Sequence, residues 1–85
     1  MSGLIGGIVL LFNERLRALR QDKDLTQEEL SKVLRITRKT LSNYETAYRE
    51  PNLDTIIKIA KHFDISIDYL LCKTDIPTPY PKKHK

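Results

Sequence analysis

The sequence predicts an all-α domain of five short helices, and three observations carry that prediction. Apolar residues recur three and four positions apart in successive segments of the chain. Residues suited to helix N-caps (Thr26, Thr37 and Ser66) stand directly before three of those segments. No run alternates apolar and polar residues as a half-buried strand does, and no internal repeat is found.

The first helix rests on Phe12, Leu16 and Leu19, at i, i+4 and i+7. Asn13 is one candidate for its cap, a start within residues 8–11 is the other, and its end is expected near Lys23 and Asp24. Thr26-Gln27-Glu28-Glu29 then reads as a capping box, in which the Thr26 hydroxyl accepts from the Glu29 amide while Glu29 reaches back. The short second helix is expected to turn Leu30, Val33 and Leu34 inward. Arg35-Ile36 is a brief connection and Thr37 caps a third helix. In it Leu41 and Tyr44 make an apolar stripe, opposite Arg38, Lys39, Ser42 and Asn43. Pro51 lacks a donor and disfavours helix just before it, so residues 46–52 form a loop. Leu53, Ile56, Ile57, Ala60 and Phe63 outline a fourth amphipathic helix. After a turn at Asp64-Ile65, Ser66 caps a fifth helix carrying Ile67, Leu70 and Leu71. Pro77, Pro79, Pro81 and the closing Lys-Lys-His-Lys read as an extended tail. The expected division is an apolar extension over residues 1–11, one domain over 12–72 and a Pro/Lys-rich tail over 73–85.

Composition excludes several classes of function. Eighty-five residues make one small domain, and a chain of that size buries only about 60–65% of its unfolded surface, too little for a roomy catalytic pocket. Hydrophobic content of 40% with 31% charged residues fits a soluble globular protein rather than a disordered or membrane one. Cys72 is the single cysteine, and His62 and His84 are the only histidines. No internal disulfide and no cysteine-rich zinc site can form, and neither metal nor cofactor is expected. The apolar stretch 4–12 spans nine residues, whereas crossing a bilayer needs about 20. No lysine or arginine precedes it, so it fails as a secretory signal, and a cytoplasmic protein is expected. With no phosphate-cradling loop, credible carboxylate pair or strained nucleophile elbow, the protein is expected not to be an enzyme.

The net charge of +4 is unevenly placed. Residues 32–49 carry Lys32, Arg35, Arg38, Lys39 and Arg49 against Glu45 alone. The tail adds Lys73, Lys82, Lys83 and Lys85 against Asp75, while the remaining segments are slightly acidic. A local basic block of this kind is the footprint of a polyanion binder, unless it is only a solvated helix face.

A helix, a short capped helix, a tight turn and a polar-faced helix, in that order, make helix-turn-helix geometry. The residues resemble the lambda-repressor-like, Cro-type (xenobiotic-response-element) DNA-binding domains over about residues 12–71. The resemblance runs through Arg20, Leu25-Thr26-Gln27-Glu28-Glu29-Leu30, Ile36-Thr37-Arg38 and Leu41-Ser42-Asn43-Tyr44-Glu45. It continues through Arg49-Glu50-Pro51, Ile59-Ala60-Lys61 and the phage-repressor-like ending Ile65-Ser66-Ile67-Asp68-Tyr69-Leu70-Leu71.

The resemblance implies that the helix over residues 37–45 lies in the major groove while the Thr26 helix crosses the phosphate backbone. It puts Arg38, Lys39, Ser42 and Asn43 where the family reads bases. Gln27, Thr37, Tyr48, Arg49 and Asn52 match positions that contact phosphates. Arg20 and Glu45 match a partly buried salt bridge, and Tyr44 is expected in the core. The implied protein is a bacterial, sequence-specific, double-stranded DNA-binding transcriptional regulator. It is expected to be a repressor that binds a two-fold operator as a homodimer, with a separate protein partner as a route to its regulation. The alternative is a protein-interaction module, such as an antitoxin or adaptor, on the same fold.

Two features depart from the family pattern. Glycine is common in the family at the positions of Asp24, Arg35, Ala47 and Cys72, and this chain has none there. Either those turns are reshaped or each residue bears about 1–2 kcal/mol of strain at positive φ. The apolar start, Leu4-Ile5-Gly6-Gly7-Ile8-Val9-Leu10-Leu11, leaves several fates open. It is disordered, a stretch upstream of the family's usual start, packed on the first helix, or packed on a second subunit.

Overall fold

The computed structural model describes the backbone of residues 2–79 and the side chains of residues 12–79. The apolar side chains of residues 4–11 and the tail residues Pro81, Lys82, Lys83, His84 and Lys85 lie outside the described part. Among the described residues five helices follow one another with no strand: α1 (Ser2–Asp22), α2 (Gln27–Leu34), α3 (Arg38–Glu45), α4 (Leu53–Phe63) and α5 (Ile67–Leu70).

Four of these helices begin in the same way. The caps Thr26, Thr37, Asn52 and Ser66 have extended backbone, and each side-chain oxygen accepts from the amide three residues on. Those amides belong to Glu29, Thr40, Thr55 and Tyr69, at 2.9–3.0 Å. At α2 the Glu29 carboxylate also accepts from the Thr26 amide at 2.8 Å, closing the capping box. Helix α1 starts at Ser2, earlier than either expected start. Asn13 is therefore not a cap but a buried residue inside the helix, where its Nδ2 donates to the Glu45 carbonyl at 2.8 Å.

All five helices end in the same way too. The residue after the last turn has positive φ at Asp24, Arg35, Ala47, Asp64 and Cys72, with values of 56–64°. In each case its N–H bonds back three residues and the next N–H bonds back five. At the end of α2, for example, Arg35 donates to the Lys32 carbonyl and Ile36 to that of Ser31. This is the Schellman motif, built five times without glycine. The four turns that lack the family's glycine are therefore not reshaped; they adopt the left-handed conformation with a Cβ present. Asp64 is a fifth such position that sequence reasoning did not identify. Three of the motifs are anchored by the following apolar residue: Leu25 and Ile36 pack against the core and Ile65 is buried in it.

The core gathers Leu16 from α1, Leu30 and Leu34 from α2, Leu41 and Tyr44 from α3, and Ile59, Ala60 and Phe63 from α4. Ile65 and Leu70 complete it. Four residues of the expected apolar faces are not in it: Val33, Leu53, Ile57 and Leu71, of which Ile57 and Leu71 are half-buried and Leu71 is the C-cap just past the end of α5. Val33 is 49% exposed, because the inward face of α2 runs through Leu30, Ser31 and Leu34. At 3.6 residues per turn Val33 lies roughly 100° from the centre of that face. Ser31 fills the place instead, its hydroxyl donating to the Glu28 carbonyl at 2.8 Å. Leu53 is 65% exposed, since it is the first residue of α4 and sits at the rim beside its cap. The tail bends back far enough for the Pro77 carbonyl to accept from the Ser66 amide at 3.0 Å.

The left-handed residues give a stability test. Ala47→Gly is expected to stabilise the fold by about 0.5–1 kcal/mol, net of the freedom glycine adds to the unfolded chain. Asp64→Gly is expected to gain less, because aspartate tolerates this region better. Urea denaturation reads both, and a lowered midpoint for Ala47→Gly contradicts the strain assigned to it.

Candidate nucleic-acid interface

Glu45, the last residue of α3, organises the region. Its side chain is 1% exposed, and its two oxygens receive Arg20 from α1: Nε to Oε2 at 2.7 Å and Nη2 to Oε1 at 3.0 Å. Arg20 also donates to the Leu25 carbonyl at 2.9 Å, which leaves its guanidinium well satisfied. Gln27, the first residue of α2, donates from Nε2 to Glu45 Oε1 at 3.1 Å. The Glu45 backbone carbonyl, at the negative end of the α3 dipole, accepts from Asn13 Nδ2 and, at 3.1 Å, from Arg17 Nη2. One buried acid thereby joins α1, α2 and α3.

Asn13 and Arg17 were not singled out by sequence reasoning as partners of Glu45. A signal existed: Asn13, Arg17 and Arg20 recur at i, i+4 and i+7, a polar stripe one residue along from Phe12, Leu16 and Leu19. At the far side of α1, Arg15 Nη1 donates to the Tyr69 carbonyl at 2.6 Å, and the guanidinium lies 3.9 Å from the Tyr69 ring centre.

The face of α3 away from the core carries the four residues expected to read bases. Arg38 and Lys39 are exposed, and Ser42 and Asn43 are half-buried. Arg38 Nη1 donates to Gln27 Oε1 at 3.3 Å, bringing together the first residues of the two motif helices. Thr37 stands at the N-terminus of α3, with its hydroxyl engaged by the Thr40 amide and by the Thr40 hydroxyl at 2.8 Å. The following loop is tied to the helix end, because the Asn43 carbonyl accepts from the amides of Tyr48 and Arg49 at 2.9 and 3.2 Å. Tyr48 and Arg49 are exposed there. Asn52 is exposed as well, but its Oδ1 is committed to capping α4, which leaves Nδ2 as the group able to donate. Tyr44 packs in the core.

Burial sharpens the electrostatics of the segment. Glu45, its only acid, is removed from the surface, whereas Lys32, Arg35, Arg38, Lys39 and Arg49 all remain on it. Lys32 meets Glu28 at 3.8 Å in an exposed pair, too solvated to cancel much charge. The surface of α3 and its flanks is therefore more positive than the residue count suggests. Burial pushes the Cys72 thiol above its ordinary value, against the opposing charge of Arg15, so little of it is nucleophilic thiolate near neutrality. Among the described residues no cluster of His, Cys, Asp and Glu could hold a metal ion, and no helix is long and apolar enough to cross a membrane.

A capped helix, a tight left-handed turn and a polar-faced helix laid over one core define the helix-turn-helix class. Residues 16–70 match the helix-turn-helix family, and the chain belongs to that family, in its Cro/C1-type branch. It is 41% identical over 63 residues to the HTH-type transcriptional regulator ImmR of Bacillus subtilis (strain 168). That match covers 74% of this chain and 50% of ImmR, so the chain spans half the length of this relative. The fold is similar to that of the P22 c2 repressor in complex with synthetic operator 9T, with a TM-score of 0.66 and 30% identity over 69% of this chain and 89% of the repressor chain. It is similar also to the restriction-modification controller protein C.AhdI from Aeromonas hydrophila, with a TM-score of 0.68 and 34% identity over 76% and 97% of the two chains.

The geometry separates two arginines of α1. Arg20→Ala leaves Glu45 buried without its main partner, and a loss of about 3–5 kcal/mol is expected. Arg17 is 44% exposed and makes one good hydrogen bond to this group, so Arg17→Ala is expected to cost about 1 kcal/mol or less. Equal melting temperatures for the two variants contradict this ranking.

Proposed function

We propose that the protein is a sequence-specific double-stranded DNA-binding transcriptional regulator of the cytoplasm, and that it represses by occupying an operator as a homodimer. The observation that carries this reading is the solvent face of α3. It holds Arg38, Lys39, Ser42 and Asn43 amid exposed cations, and the one acid of the segment is buried. With α3 in the major groove, Arg38 and Lys39 offer donors to guanine O6 and N7, and Asn43 pairs with adenine through both edges of its amide. Gln27 and Thr37 meet phosphates at two helix N-termini, where amides point outward. Tyr48, Arg49 and the Asn52 Nδ2 contact the backbone beyond the groove. Similarity to a repressor crystallised in complex with a synthetic operator supports this docking. Two copies of the domain read half-sites about one helical turn apart, roughly 34–36 Å centre to centre.

Selection of binders from a randomised duplex library at about 150 mM salt, a regime in which phosphate contacts alone bind weakly, tests the reading. The expected result is an enriched two-fold site. Arg38→Ala and Asn43→Ala should each lose about 1–3 kcal/mol of affinity for it and relax one base preference. Arg49→Ala should weaken all sequences alike and lower the salt slope by about one. If only weak, salt-sensitive and sequence-blind binding is found, the protein is not a specific regulator.

A further inference from the structure

We propose that Glu45, although it is buried and faces no DNA, is the positioning residue that sets the base preference of Arg38, acting through the side-chain amide of Gln27. This inference rests on the DNA-reading role assigned above. Its physical basis is the asymmetry of an amide between an acceptor and a donor. A carboxylate paired with a guanidinium offers acceptors only, so the Gln27 group turned toward Glu45 Oε1 has to be the NH2, at 3.1 Å. The Gln27 carbonyl is then the end left for the recognition helix, and it can accept only a donor. It receives Nη1 of Arg38 at 3.3 Å.

The connected line Arg20, Glu45, Gln27, Arg38 thus runs from a buried ion pair to the exposed first residue of α3. Its consequence for recognition is geometric. A guanidinium with one nitrogen tethered keeps other N–H groups in the same plane, and guanine presents O6 and N7 to such a planar fork. A tether fixes the direction of that fork before binding, which favours guanine over bases that would need another direction. Were the amide reversed, its NH2 would face the Arg38 donors and the tether would be lost. Glu45→Gln makes that reversal possible, because a glutamine there can present its own NH2 to Gln27. Gln27→Met removes the link at nearly constant shape from a half-buried surface position, and it remains informative if Glu45→Gln does not fold.

The experiment measures affinity of the full chain for the duplex selected by the wild type. The same duplex with the guanine at the Arg38 contact replaced, and an unrelated duplex, complete the set. For both variants, with helicity checked by circular dichroism, the preference for guanine at that position is expected to fall about tenfold. Affinity of Glu45→Gln for the unrelated duplex should stay within about twofold, because phosphate contacts are blind to sequence. Gln27→Met also gives up the phosphate contact assigned to Gln27, so it should weaken all three duplexes by one common factor beside its loss of guanine preference. An equal loss on all three duplexes overturns the proposal, since Gln27 is then a phosphate contact alone. An unchanged preference in folded Gln27→Met overturns it as well. If the wild type selects no site, the DNA-reading role itself fails and this inference falls with it.

Discussion

The buried ion pair of Glu45 with Arg20 is the constraint on which the arrangement of the first three helices depends. A carboxylate 1% exposed is tolerable only with its charge matched and its lone pairs occupied. Arg20, Gln27 and, at longer range, Arg17 meet that requirement at the side chain, and Asn13 and Arg17 meet it at the carbonyl. Because these partners come from α1 and α2, Glu45 can be satisfied only when α3 lies at one position against both. The apolar side chains of Leu16, Leu30 and Leu41 bring the helices together. The polar contacts decide how α3 is set.

The helix ends impose a second constraint, independent of the first. Each helix from α2 to α5 starts on a side-chain oxygen, and each of the five stops at a left-handed residue followed by a hydrogen bond spanning five residues. Such endings usually recruit glycine, because a Cβ crowds the carbonyl at positive φ. At three of the five positions the next residue is apolar and held by the core, as Leu25, Ile36 and Ile65 are. At Arg35 the strained position lies in the turn between α2 and α3. It carries an exposed cation there, where glycine would carry none.

Much of this was legible in the residues. The capping box at Thr26 and the caps at Thr37 and Ser66 depend on contacts three residues apart, which a sequence displays directly. The polar composition of the α3 face, the loop forced by Pro51 and the helical stripe of α4 were visible for the same reason. Val33 and Leu53 were misread because apolar spacing locates a stripe only to within a residue or so. Which edge of that stripe faces inward is set by the neighbouring helix. Asn13 looked like a cap because the helical spacing of the apolar stripe begins beside it, and the backbone of α1 continues past that point to Ser2.

The sequence by itself determined the class of fold, the limits of most helices and the residue types offered on the recognition helix, since all of these follow from local spacing and from charge. Motif resemblance added the pairing of Arg20 with Glu45 and the four turns where glycine is missing. Only the tertiary structure decided that those turns are left-handed without glycine, and that Asp64 is a fifth. It alone decided that Asn13 and Arg17 converge on the Glu45 carbonyl, and that Gln27 links Glu45 to Arg38. Those contacts join residues 11 to 32 positions apart, and only the packing of helices on a shared core brings such residues within hydrogen-bonding distance.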